Sequence, residues 1–158
     1  MEGKKVKDSS ITTSIIMMPE DANPAGNVHG GIIMKHVDET AGIVAFRHSR
    51  NNSVTASIDS LIFHYPVFVG ELLTLKASIN MTAKSSMEIG VRIESENLLT
   101  GEVKHTASAY LTFVALDKAG RPTQIPSLVF ETAEEKQRNS QAQTRRSNRL
   151  AAREQEKK

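Results

Sequence analysis

The chain contains no cysteine and no tryptophan, and aromatic residues make up 4% of its 158 positions. Without cysteine there is no disulfide framework, no thiolate nucleophile and no zinc–thiolate site, and a reducing cytoplasm is the expected compartment. No apolar run reaches the roughly 20 residues of a membrane-spanning helix, and the opening Met1-Glu-Gly-Lys-Lys leads into no apolar signal region. No membrane partner is therefore expected. The formal net charge of +2 is too small to imply nucleic-acid binding by itself. No glycine-rich phosphate loop precedes a lysine, and no serine sits in a nucleophile-elbow context, so neither a P-loop nor a serine triad has support. The length points to one domain.

What the chain does have is concentrated between Asn23 and His48. Pro24, Gly26 and the Gly30-Gly31 pair punctuate a loop. After it, Ile32, Ile33, Met34, Val37, Ala41, Ile43, Val44, Ala45 and Phe46 cover more than one helical stripe. That pattern predicts a helix surrounded on all sides. A helix that starts at Gly-Gly leaves its first N–H groups bare, and with the macrodipole they make a site for an oxygen that is, or becomes, negative.

Two turns further along lies Asp38. A carboxylate in apolar surroundings is costly unless paired or useful, and a desolvated one is a better base. Asp38 also fits an exposed position or a pair with Lys35 or His36. Glu39, about 100° further around the helix, cannot face the same pocket. Asn23 reads as a turn residue before Pro24 or as an amide that orients a water or donates to an oxyanion, and Asn27 shares that ambiguity. His29 and His36 are seven residues apart, but a third metal ligand would have to be Asp38 or the distant His64. Solvated or hydrogen-bonded histidines are expected instead, and no metal.

Strand patterns flank this stretch. Ile11 to Met18 is a short β-branched run ended by Pro19. Downstream, Val54, Ala56, Ile58 and Ile62 alternate against Thr55, Ser57 and Asp59. Leu73 to Met81, Met87 to Ile93 and Ala107 to Ala115 keep the same period of two, which predicts antiparallel strands with one buried face. Strand, long apolar helix and meander together predict an α+β domain with a curved sheet around one central helix. Outward-facing Leu72, Tyr110 and Val114 point to subunit contact. Thr82-Ala-Lys84-Ser85-Ser86 forms a polar hairpin tip whose hydroxyls, amides and lysine also suit a phosphate-bearing ligand.

The two ends differ from this body. Residues 1–10 are charged and polar and are expected to be flexible. Residues 131–158 hold eight Lys/Arg and five Glu, so this tail carries +3 against −1 for the rest. A charged tail, either a surface helix or disordered, is the reading for 129–158, and acids interleaved with the bases disfavour a nucleic-acid arm. Truncation after Phe130 is expected to leave fold and turnover nearly intact.

The run from Met18 through Asn23-Pro-Ala-Gly-Asn-Val-His29-Gly-Gly to Met34-Lys-His-Val-Asp38-Glu, then Ala41-Gly-Ile-Val-Ala, resembles the hot-dog-fold acyl-CoA thioesterases of the cytosolic (brain-type) acyl-CoA hydrolase group. Val54-Thr-Ala-Ser-Ile-Asp59, Lys84-Ser-Ser-Met-Glu-Ile and Asn97-Leu-Leu-Thr-Gly101 extend the likeness over residues 11–128. The resemblance implies a hot-dog fold, a long central helix wrapped by a curved antiparallel β-sheet. It implies dimers with a continuous sheet, assembled into trimers of dimers, hence a hexamer. It also implies a cytoplasmic hydrolase that splits acyl-CoA into fatty acid and CoA and needs no cofactor beyond that substrate. Asp38 would be general base or nucleophile, Asn23 would come from the partner subunit, and Gly30 and Gly31 would polarise the thioester carbonyl. Thr82, Lys84, Ser85 and Ser86 would touch the CoA arm. The alternatives are an acyl-CoA-binding sensor and a hot-dog hydratase or dehydratase.

Overall fold

A computed structural model describes residues 1–157. Strand β1 (Lys4–Lys5) precedes β2 (Ile11–Ile16), and the long helix α1 (Gly30–Ser49) follows. Strands β3 (Asn52–Phe63), β4 (Leu72–Thr82), β5 (Ser86–Glu96) and β6 (Val103–Leu116) form the meander. A short β7 (Leu128–Val129) and helix α2 (Ala133–Glu156) complete the chain. The main sheet has five antiparallel strands in the order β2-β4-β5-β6-β3. This is the α+β hot-dog arrangement, a helix cradled by a curved sheet.

The core lies between α1 and the concave face of the sheet. Leu73, Leu75, Ala77 and Ile79 of β4, with Met87, Ile89, Val91 and Ile93 of β5, are buried there, while a bulge at Asn80 sets the buried Met81 opposite Glu88 and outside this core. Ala107, Ala109, Leu111, Phe113 and Ala115 of β6 complete the floor. Against it α1 lays Ile33, Val37, Ala41, Val44 and Ala45, a stripe at helical spacing. Each of the larger of these, such as Ile33, Val37 and Val44, contributes roughly 1.5–3 kcal/mol by leaving water. The helix ends at Arg50, whose φ of 55° is left-handed and whose N–H returns to Phe46 O at 2.7 Å.

Two expectations need correction. The helix is not enclosed on all sides: Met34 is 39% and Phe46 46% exposed, so one apolar flank of α1 stands open in the protomer. The alternation expected for β3 also fails. Pairing with β6 shifts between Thr55 and Ser57 and again between Ile58 and Ser60, which leaves Ala56 and Asp59 as extra residues. Thr55, Ile58, Leu61 and Phe63 therefore stand opposite inner-face residues of β6, while Val54 and Ile62 are 43% and 64% exposed. β3 is also an edge strand with an unpaired side.

The ends are fastened to this body. Lys4–Lys5 pair in parallel with Leu128–Val129, Val6 is buried, and Lys4 Nζ donates to His48 O at 2.8 Å, at the negative end of α1. This structure replaces the flexible start expected for residues 1–10. His48 is itself fully buried and its Nε2–H donates to Pro126 O at 2.7 Å.

Helix α2 crosses the outer face of the sheet. Asn139 Nδ2 donates to Asn80 O at 3.1 Å, and Arg145 makes a fork to Glu88, Nε to Oε2 at 3.0 Å and Nη2 to Oε1 at 2.7 Å. Glu88 is 0% exposed and accepts a further bond from Asn80 Nδ2 at 3.0 Å. Arg145 also covers the ring of Tyr110 at 3.7 Å, so the helix of the same chain lies over this outward tyrosine. Gly90 has no room for a side chain, since a Cβ there would meet Asn80 Nδ2 at 2.7 Å. The tail is thus a helix bound to the sheet through polar heads.

Candidate active site

The loop before α1 is held by its own backbone. Asn23 N–H donates to Asn27 O at 2.8 Å and Val28 N–H to Val67 O at 2.8 Å, while His29 N–H donates to Asp21 O at 2.9 Å. Gly26 takes a φ of 94°, a left-handed turn that a side chain would strain. Asn23 Oδ1 accepts from Ala25 N–H at 2.9 Å, so the carboxamide oxygen is fixed and its Nδ2 is left to donate elsewhere.

Asn23, Asn27, Val28 and Gly30 share a cavity of about 320 Å³ with Phe63, His64 and Tyr65 from the end of β3. No side chain caps α1 at His29, and the Gly30 and Gly31 N–H groups make no hydrogen bond within the protomer among the described residues. A Cβ on Gly31 would meet nothing within 4 Å, so packing does not require glycine there. The positive helix end opens onto a cavity whose walls mix Asn23, Asn27 and His64 with Val28, Ile33 and Phe63. Such a site can polarise a carbonyl oxygen or hold an anion.

Asp38 is not among the residues lining this cavity. Eight residues of helix separate it from Gly30, a rise of about 12 Å. It is half-buried, which corrects the apolar surroundings expected for it. Its Oδ1 accepts a 2.6 Å hydrogen bond from Thr55 Oγ1 at the start of β3. Glu39 is exposed and turns toward His36, 3.8 Å from its Nδ1. The protomer therefore brings Asn23 and Gly30 together and leaves Asp38 apart.

Thr82, Lys84, Ser85 and Ser86 sit at the far end of the sheet. Ser86 pairs with Val114 and Ile93 with Ala107, the residue opposite Phe63. Seven residues of strand, about 23 Å, thus divide the tip from the Gly30 cavity. Backbone bonds from Ala115 N–H to Ser85 O and from Ile125 N–H to Lys84 O hold the tip.

Thr55, Phe63 and Tyr65 carry no functional reading in the sequence, and His64 enters there only as a distant metal ligand. A strict alternation puts Thr55 on the polar side, but Asn52–Thr55 pair with β6 in unbroken register and set Thr55 opposite the inner-face Phe113, and the bulge after it brings Ile58 to the same face.

Comparison with known proteins adds a second line of support. Residues 25–102 match the model of the thioesterase superfamily. An uncharacterized acyl-CoA thioester hydrolase, YkhA of Bacillus subtilis, is 38% identical over 134 residues, 85% of this chain and 78% of that protein. The cytosolic acyl coenzyme A thioester hydrolase of Rattus norvegicus is 42% identical over 122 residues, but the match spans only 32% of that longer protein. Among solved structures, an apo-hexameric acyl-CoA thioesterase superposes with a TM-score of 0.92 at 36% identity, covering 96% of this chain and 97% of that one. The Staphylococcus aureus acyl-CoA hydrolase, solved with butyryl coenzyme A, coenzyme A and coenzyme A disulfide, gives 0.90 at 34% identity, covering 98% and 94%. Variants of that hydrolase with one Asp, one Asn or one Thr changed to alanine superpose as well. Identity of this level along nearly whole chains, with the same fold, means that the chain belongs to the thioesterase superfamily.

Proposed function

We propose that the chain hydrolyses acyl-CoA thioesters at a site shared between two protomers, with Asn23 and the α1 start from one and Asp38 from the other. The observation that carries this reading is the separation of Asp38 from the cavity that holds Asn23 and Gly30. An open apolar flank on α1 and an unpaired edge on β3 supply surface for a second copy. Spacing supports it too. The Asn and Asp replaced in the Staphylococcus aureus variants lie 15 residues apart, and the Asp and Thr 17 apart. Those intervals match Asn23 to Asp38 and Asp38 to Thr55.

The chemistry follows from the groups present. The thioester oxygen sits at the Gly30 and Gly31 N–H groups, where charge developing in the tetrahedral state meets the helix end. Asn23 Nδ2 donates to the carbonyl or to the attacking water. Asp38 takes a proton from that water as it adds to the thioester carbon, or adds directly and forms an anhydride that water then opens. Either route breaks the carbon–sulfur bond, releases the CoA sulfur to be protonated, and leaves a carboxylic acid. Thr55 holds one Asp38 oxygen and leaves the other for the reaction. The reaction needs no cofactor, since CoA is part of the substrate.

In the assembly, the 82–86 tip reaches the CoA arm of a site in another protomer, where Lys84 and the hydroxyls meet phosphate. Three such dimers make a hexamer, by analogy with the apo-hexameric structure. A cytoplasmic location fits the cytosolic relative. No helix among the described residues is long and apolar enough to cross a membrane. Thiol release across a panel of acyl-CoA chain lengths tests the function. Release with at least one chain length supports hydrolysis, and binding without release across the panel makes the protein a sensor.

A further inference from the structure

Asp59 is one of the two extra residues of β3, set between the Ile58–Leu111 and Ser60–Tyr110 pairs with no partner across the ladder. Aspartate is poorly suited to a strand interior. Here its Oδ2 accepts a 2.8 Å bond from Arg149 Nη1 of α2, and each of the two side chains is only 17% exposed. The rest of α2 is fixed over β4, β5 and β6 by Asn139 and Arg145. Arg149 therefore reaches Asp59 from an anchored helix.

The bulge at Asp59 fixes which way the rest of the strand faces. A single extra residue turns every later side chain to the other side of the sheet, and a second restores the phase. With both bulges in place, Thr55 stands opposite Phe113 and Phe63 opposite Ala107, both inner-face positions. Thr55 then meets Asp38, and Phe63 lies 3.5 Å from the position of a Gly30 Cβ. If Asp59 joined the ladder, only one of Thr55 and Phe63 would keep its place.

We infer that the Arg149–Asp59 pair is a positioning device that, from the outer face of the sheet, sets the phase of β3 and so holds Thr55 on Asp38 and Phe63 beside the α1 start. The inference rests on the proposed roles of Asp38 and Asn23. It makes α2 part of the reaction's geometry without any contact between α2 and substrate.

The test uses the full chain and follows kcat, KM, melting temperature and oligomer mass. Arg149→Ala is expected to lower kcat about 10-fold, because small displacements of catalytic groups are that costly, while KM stays within about two-fold. Arg149→Lys, which keeps the charge, is expected to recover most of the loss. Thr55→Val should lower kcat by itself, and adding Arg149→Ala to it should cost less than Arg149→Ala costs in the wild type, since part of its effect runs through the Thr55 contact. Should Arg149→Ala fail to fold, Arg149→Gln takes its place. Unchanged kcat, a fall in melting temperature alone, or multiplicative losses in the double variant would overturn the inference. Full turnover in Asp38→Asn would instead overturn the proposed site, so the two failures are distinguishable.

Discussion

Thr55 Oγ1 donates to Asp38 Oδ1 at 2.6 Å across the gap between β3 and α1. A bond this short to a carboxylate is charge-assisted and holds the rotamer of the acceptor. Thr55→Val keeps the shape and removes the donor. Turnover should fall by roughly 10-fold or more, with acyl-CoA affinity retained. Steady-state kinetics with equilibrium binding of a non-hydrolysable thioether analogue checks the split; equal loss of both would assign Thr55 to substrate binding.

Asp38→Asn is nearly isosteric and removes the base. The expected fall in turnover is roughly 10²-fold or more. Glu39→Gln, on the exposed side toward His36, should leave turnover within about two-fold. The reverse pattern in a thiol-release assay would place the wrong carboxylate in the site.

Glu88 lies fully buried beneath α2 with Arg145 and Asn80 on its oxygens. Arg145→Ala leaves that charge unpaired and should destabilise the protein by about 3–5 kcal/mol. Truncation after Phe130 should also lower the melting temperature markedly, contrary to the expectation from the tail's composition. Thermal unfolding of both variants checks this, and wild-type melting in either would mean that α2 contributes nothing to stability.

Burial pushes the His48 imidazole down from its ordinary value of 6.5, with the bond to Pro126 opposing that shift. Because the unfolded chain then takes up the proton first, stability is complete above pH 6.5 and falls as pH drops below it, levelling off below the folded-state value. Melting temperature measured from pH 7.5 to 5 should decline in wild type and decline less in His48→Gln. Parallel curves would show that His48 does not drive the loss.

The residues that were legible in the sequence are those whose neighbours are apolar and regular. Leu73 to Ile79, Met87 to Ile93 and Ala107 to Ala115 alternate and are buried as their period requires, whereas Met81, past a bulge at Asn80, leaves the face that its period predicts. The loop from Asn23 and the Gly30 helix start could be read from turn residues alone. β3 was misread because a bulge is imposed by the partner strand and has no local signature at Ala56 or Asp59. The exposed flank of α1 at Met34 and Phe46 was read as core because composition does not say whether the same chain or a second copy covers a face. The docking of α2 was missed for a different reason. It is made by Asn139, Arg145 and Arg149 heads around a single buried Ala142, so no apolar stripe announces it.

The most direct test of the central claim is complementation between damaged protomers. If Asn23 and Asp38 meet only across a dimer interface, Asn23→Ala and Asp38→Asn homodimers each have every site broken. A mixed dimer places both changes in one site and leaves the other intact. Random pairing makes half the dimers mixed with one working site of two, so co-refolding the variants should restore up to about a quarter of wild-type turnover, given two-fold symmetric pairing. Verified mixed dimers as inactive as their parents would contradict a shared site and require Asn23 and Asp38 to act within one protomer.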